Sequence, residues 1–314
     1  MNRPSQRIGS LVRRAALVLV IANLGAACSV KRTVTVSVPP KVLQAKTATF
    51  DEILALLKKY SDKLSALSST TLRVSFTSGR IESGKLQEYR SAPGYVLLKT
   101  PDSLRLNIQN PLTKTSIVEL ASTGDDFSIW YPRDNKYFVG QNSAKELVVE
   151  GAGSSPVFAA RPAHIYEAII PQRIALDNAR IRVSMEEDQD ATSKYYALSI
   201  FEDAGQKRLR PLRRLWIERS ELVVVKQQTF ENDGRIASII HYSSHTPVDG
   251  LLLPLSIHIE RPSDGYVLDM QFKSWRVNPD MPPTAFVLSP PPGAERVVLK
   301  EKKQAPTARL RTGT

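Results

Sequence analysis

Cysteine is almost missing from this 314-residue sequence: Cys28 is the only one. A fold stapled by disulfides needs an even set, so core packing and strand pairing must hold this chain instead. The apolar run at residues 15–24 (AALVLVIANL) falls well short of the roughly 20 residues that span a bilayer as a helix. Sequence signs of catalysis are missing too. There is no G-x-S-x-G elbow, no H-E-x-x-H pair and no phosphate-cradling glycine loop. Gly151-Ala152-Gly153-Ser154-Ser155 has the glycines of such a loop without its lysine, and reads as a flexible crossing. Only four histidines occur, His164, His241, His245 and His258. On a strand His241 and His245 would share a face, yet no cysteine or carboxylate cluster completes a metal site beside them. Lys and Arg are scattered among acids, with no nucleic-acid motif. No catalytic residue, metal, cofactor or nucleic-acid partner is therefore expected.

What is present suits an exported globular protein. Hydrophobic residues make up 42% and charged residues 24%, too polar for a multi-pass membrane protein and too apolar for a disordered one. The first 27 residues carry Arg3, Arg7, Arg13 and Arg14 and no acid. A basic segment, a short apolar run and then small residues form a signal peptide. Removing it lowers the formal net charge from +12 to about +8, which suits an anionic membrane surface and equally a soluble domain. Gly25-Ala26-Ala27-Cys28 resembles the lipobox of bacterial lipoproteins, with Gly25 where leucine is usual and Leu24 one place further out. That resemblance implies cleavage before Cys28 and a membrane anchor of palmitate-type chains on its sulfur and new N-terminus, each buried methylene contributing about 0.8 kcal/mol. The other reading is an Ala-x-Ala cleavage site with Cys28 a bystander. Ser29, by analogy with proteobacterial lipoproteins, implies the outer membrane, facing the periplasm. Arg13-Arg14 sits in too loose a context to establish twin-arginine export.

Residues 28–48 follow as the lipidated N-terminus and a tether containing Pro39-Pro40. Extended, the tether reaches roughly 65 Å at about 3.3 Å per residue; Val34, Val36 and Val38 could alternatively form an edge strand. At Thr49-Phe50-Asp51-Glu52 a capping box appears. Ile53, Leu56, Leu57, Tyr60, Leu64 and Leu67 then recur every three or four residues, predicting an amphipathic helix of about 18 residues. From residue 72 the period becomes two: Leu104, Leu106 and Ile108; Phe127, Ile129 and Tyr131; Leu215 and Ile217; Leu255, Ile257 and Ile259; Tyr266, Leu268, Met270 and Phe272. Asn232-Asp233-Gly234 joins two such runs as a hairpin. About ten or eleven strands with short connections predict an α+β fold, a large curved antiparallel sheet covered on its apolar face by that helix and a shorter one near 163–170. The domain spans 49–299, and the basic tail 300–314 has no apolar period and is expected to be disordered.

The order of elements resembles the LolA/LolB-like carriers of the periplasm and related lipid-carrying lipoproteins. The likeness runs through the helix at 50–67 and GDDFSIWYPRDNKYFVG (124–140). It continues through DGLLLPLSIHIERP (249–262) and LDMQFKSWRVNPDMPPTAFVLSPPPGAERV (268–297), about 250 residues in all. It implies an open half-barrel with helices as a lid. The function implied is that of a lipid-anchored carrier or acceptor, a chaperone in lipoprotein transport that sequesters acyl chains of lipoproteins or phospholipids, with a periplasmic carrier protein as a possible partner. The chain departs from LolA itself, which has no lipidated cysteine, and the arginine that closes the family's lid is not assigned, since Arg90 and Arg105 are both available. Leu104, Leu106, Ile108, Leu215, Ile217, Ile257, Ile259, Met270 and Phe272 are the expected lining of the acyl-chain cavity; the same residues would equally serve as a filled core. The alternative function is a sensor or scaffold lipoprotein that binds a protein partner with the same fold.

Overall fold

The computed structural model describes residues 42, 44–79, 87–144, 147–149, 160–171, 174 and 178–301. All of them belong to one unit of the chain, Pro40–Thr314. Residues 1–41 with Cys28, Gly151–Ser155, residues 302–314 and the side chain of Arg90 lie outside them.

Helix α1 (Phe50–Lys63) starts where the capping box places it. The Thr49 N–H donates to Glu52 Oε2 at 2.7 Å, and the Glu52 N–H donates back to Thr49 Oγ1 at 3.3 Å. The helix has 14 residues rather than 18. It stops because Asn278, far off in sequence, takes over the hydrogen bonds of its end. Asn278 Oδ1 accepts from the Ser65 and Ala66 N–H groups at 2.9 and 3.0 Å, and Nδ2 donates to the Lys63 carbonyl at 2.7 Å. Leu64 becomes the C-cap and Leu67 the second residue of a strand.

That strand, β1 (Ala66–Ser78), is followed by β2 (Gln87–Lys99), β3 (Ser103–Gln109), β4 (Ser116–Thr123), β5 (Asp126–Tyr131), β6 (Lys136–Gln141) and β7 (Leu147–Val149). Helix α2 (Pro162–Ile169) comes next, as expected near 163–170. Then follow β8 (Ile181–Gln189), β9 (Lys194–Asp203), β10 (Leu209–Glu218), β11 (Val223–Phe230), β12 (Ile236–Val248), β13 (Leu251–Arg261), β14 (Tyr266–Phe272), β15 (Arg276–Val277) and β16 (Glu295–Glu301). The sixteen strands among the described residues exceed the ten or eleven expected, in part because strands as short as β7 and β15 show no period to read.

Two antiparallel meanders meet where β1 pairs with β14, giving the order β7-β16-β6-β5-β4-β3-β2-β1-β14-β13-β12-β11-β10-β9-β8, with β15 on β1. The terminal strands β7 and β8 do not pair with each other, so the sheet stays open. One pairing, β16 with β6, is parallel. It is possible because the chain after β15 crosses the outer face on a long connection. Phe286 and Met281 bury there against Ala66 in a small outer cluster, and Arg105 Nη1 and Tyr137 Oη donate to the carbonyls of Val287 and Leu288. Strand β16 extends to Glu301, two residues into the segment read as a tail. Gly94 is required where β2 meets β3, since a Cβ there would lie 2.2 Å from the Asn107 carbonyl oxygen.

The inner face holds the main core. Ile53, Leu57, Tyr60 and Leu64 of α1 bury against it, at roughly 1.5–3 kcal/mol for each large side chain. Among the described residues no helix is long and apolar enough to cross a membrane.

Candidate functional site

Strand pairing brings the apolar residues of distant segments into rows on one face. Leu215 lies opposite Gln227, Gln227 opposite Ile240, Ile240 opposite Ile259, Ile259 opposite Leu268 and Leu268 opposite Phe76. The next row contains Tyr242, Ile257, Met270 and Val74. Along the other meander Leu106 faces Val96 and Leu120, and Ile129 follows. Eight of the nine expected lining residues are buried in one cluster, and Ile108 packs against it.

Among the described residues this face is packed by its own side chains. One cleft, between Leu56, Leu57 and Tyr60 of α1 and Ile217, Val224 and Leu252, has a volume of about 10 Å³, room for one water at most.

The two helices are held differently. Helix α1 has its capping box, Asn278 at its end, and Tyr60, whose hydroxyl accepts from the Leu252 N–H at 3.0 Å. Helix α2 has no side-chain cap at its N-terminus. It buries Ile165, Tyr166 and Ile169, and side chains of the sheet hold its far end. Tyr242 Oη donates to the Ala168 carbonyl at 2.8 Å, and Arg213 Nη1 donates to the Pro171 carbonyl at 3.3 Å. Burial pushes the Tyr242 pKa far up against the opposing charge of Arg213, so the hydroxyl keeps its proton. Near the start of α2 the inner face becomes polar. Arg161 donates to the carbonyls of Asn142 and Ala144, His164 Nδ1 lies 3.3 Å from Tyr266 Oη, and Arg261 pairs with Asp264.

Gln227 is the feature that sequence reasoning missed. It is 0% exposed, it lies in the apolar row between Leu215 and Ile240, and among the described residues neither its Nε2 nor its Oε1 has a hydrogen-bond partner. Its position in the Val-Val-Val-Lys-Gln-Gln run conceals it: simple alternation groups Gln227 with Val223 and Val225, but a bulge between Val224 and Lys226 puts it on the inner face with Val224 instead.

The histidines do other work. His241 pairs with His258 across β12 and β13, their rings 6.3 Å apart, and not with His245. His258 Nδ1 is 2.6 Å from Asp269 and Nε2 is 3.1 Å from Glu260, while His245 Nε2 bonds the Val224 carbonyl. Among the described residues no group of three or more His, Cys, Asp or Glu is arranged to hold a metal. Arg105, one of the two arginines available to hold a lid, points outward instead, pairing with Glu119 under the C-terminal crossing. Leu104 and Leu106, its strand neighbours, occupy the inner face, so the strand's period of two sends Arg105 to the other side.

No family model matches the sequence, and no curated protein matches it in sequence. Solved structures resemble it in fold. A DUF1329 family protein from Desulfovibrio piger superposes with a TM-score of 0.50 at 12% identity, covering 75% of this chain and 94% of that one. A LolA superfamily protein from Nitrosomonas europaea gives 0.46 at 14% identity, covering 77% and 99%. An outer membrane lipoprotein-sorting protein domain from Vibrio parahaemolyticus gives 0.44 at 9%, covering 74% and 95%. At these identities the likeness is one of fold alone. The α+β architecture expected from the sequence, an open curved sheet with helices on its apolar face, is the one found.

Proposed function

We propose that this protein is a lipid-anchored carrier or acceptor of acyl chains in the cell envelope, with α2 as the element that moves aside to admit them. The observation that supports the reading is the inner face itself: continuous rows of apolar side chains from both meanders, covered by two short helices, of which α2 starts without a side-chain cap.

The magnitudes allow the exchange. Lifting α2 exposes Ile165, Tyr166, Ile169 and the adjoining Ile170, which costs on the order of 6–12 kcal/mol at roughly 1.5–3 kcal/mol each, besides the hydrogen bonds from Tyr242 and Arg213. An acyl chain of about 16 carbons, buried in the vacated space, gains on the order of 12 kcal/mol at about 0.8 kcal/mol per methylene. The two sums are of the same order, so exchange of helix for acyl chain is near balance without covalent chemistry, and delivery needs only a tighter acceptor.

Four of the large apolar side chains left exposed, Leu112, Ile117, Leu209 and Ile236, flank turns at one end of the sheet. Lys114, Lys207, Arg208 and Arg235 stand in or beside the same turns. Such an end suits approach to an anionic membrane surface. Lipidation at Cys28 and placement in the outer membrane, facing the periplasm, complete the proposal.

The test is native mass spectrometry of protein purified without detergent, before and after incubation with phospholipid vesicles and with an acylated lipoprotein. Bound lipid or acylated peptide is expected. A mass that stays free of ligand after both incubations refutes the reading.

A further inference from the structure

The buried amide of Gln227 is unexplained by the closed fold. A carboxamide offers two donors and two acceptor lone pairs. Here it is fully enclosed, between Leu215 and Ile240, with neither Nε2 nor Oε1 bonded. A buried polar group left so destabilises the fold that encloses it, and an apolar side chain of the same size would serve the core better. Its place on the sheet is informative. The neighbouring strands β10 and β12 carry Arg213 and Tyr242, the two side chains that hold the carbonyls at the far end of α2. Each lies one inward position along from the residue paired with Gln227, a diagonal neighbour within about 7–8 Å in strand geometry. The orphan amide thus lies between the two side chains that hold the far end of α2.

Resting on the lipid-binding reading above, we propose that Gln227 is the polar subsite of the acyl cleft. Its Nε2 donates to the carbonyl oxygen of an ester- or amide-linked acyl chain once α2 has moved aside. A neutral carbonyl fits this amide, whereas an ionised fatty acid would bury a charge with no counter-ion beside it. The site therefore selects linked acyl groups over free fatty acid and over plain hydrocarbon.

The test uses full-length protein and three fluorescent probes of equal chain length: a pyrenyl alkane, pyrenedecanoic acid methyl ester, and the free acid at alkaline pH. Wild type should bind the ester about tenfold more tightly than the alkane, the worth of one net hydrogen bond, and the free acid less tightly than the ester. Gln227→Met, close in size, should bring the ester-to-alkane ratio near one while raising Tm; Gln227→Leu repeats the measurement with a stiffer side chain. A merely structural glutamine would change Tm and leave that ratio alone. A wild-type ratio near one, or a ratio that both variants leave unchanged, overturns the subsite. Failure of wild type to bind any of the three probes overturns instead the reading on which it rests.

Discussion

Replacing Tyr242 by Phe should make the protein less stable and its ligand affinity higher, by the same free energy. The Tyr242 hydroxyl donates to the Ala168 carbonyl at 2.8 Å in a fully buried setting. Removing the oxygen leaves that carbonyl enclosed and unpaired, at a cost of about 1–3 kcal/mol. With a loss of about 1.4 kcal/mol, in the lower half of that range, Tm falls by about 3–6 °C for a domain of this size. The loss applies only while α2 is down. When an acyl chain has displaced the helix, the Ala168 carbonyl is free to bond water, and the variant and wild type are nearly equal in energy. Apparent affinity therefore rises about tenfold, because the ligand no longer has to break the bond. Because burial holds the Tyr242 pKa far above neutrality, both changes should be the same across the neutral pH range. Differential scanning calorimetry and titration with a fluorescent acyl ester measure the two quantities on the same samples. Affinity that is unchanged, or that falls together with Tm, would show that α2 does not move on binding.

Three further outcomes follow from particular groups. Asn278, at φ +49°, accepts from Ser65 and Ala66 and donates to Lys63; Asn278→Ala should lower stability by about 2–4 kcal/mol, from lost hydrogen bonds and a left-handed backbone that alanine resists. Asn278→Gly should recover about 1 kcal/mol of that in urea unfolding, and equal losses would remove the backbone part of the argument. On the outer face, burial pulls the His258 pKa down, but Asp269 and Glu260 outweigh it and hold the net value above 6.5, while burial together with Lys226 and His258 keeps His241 below 6.5. The His258 contribution to stability is thus full at pH values below the ordinary imidazole pKa and is lost as pH rises through the folded value; NMR titration should show the two rings in that order, with Asp269→Asn moving His258 downward. Finally, Cys28→Ala should release the exported protein into the soluble fraction of the envelope, and its persistence in the membrane fraction would refute the lipid anchor.

Local chemistry was legible wherever neighbours in sequence decide the outcome. The capping box at Thr49 and Glu52 forms as its spacing requires, because both partners lie on one helical turn. The alternating runs at 103–109, 126–131, 251–261 and 266–272 became strands because every second residue had to leave water. Their apolar sides, read one strand at a time, all proved to face the same core. What remained hidden depends on residues brought together from afar. Helix α1 ends four residues early because Asn278 reaches its last turn, and nothing in residues 50–67 announces a partner more than two hundred positions away. The parallel pairing of β16 with β6 follows from a crossing on the outer face, where Phe286 and Met281 find Ala66. Arg105 was a candidate for the lid until its strand's register sent it outward. Gln227 reaches the inner face only through the bulge between Val224 and Lys226, and its lack of a partner is a property of its neighbours Leu215 and Ile240. Sequence alone thus determined the start of helix α1, the long alternating strands and which of their sides is apolar, because these depend on local periodicity. The tertiary structure decided which of those sides are packed shut, how each helix is fastened and where one polar group is stranded, because these depend on contacts between segments remote in sequence.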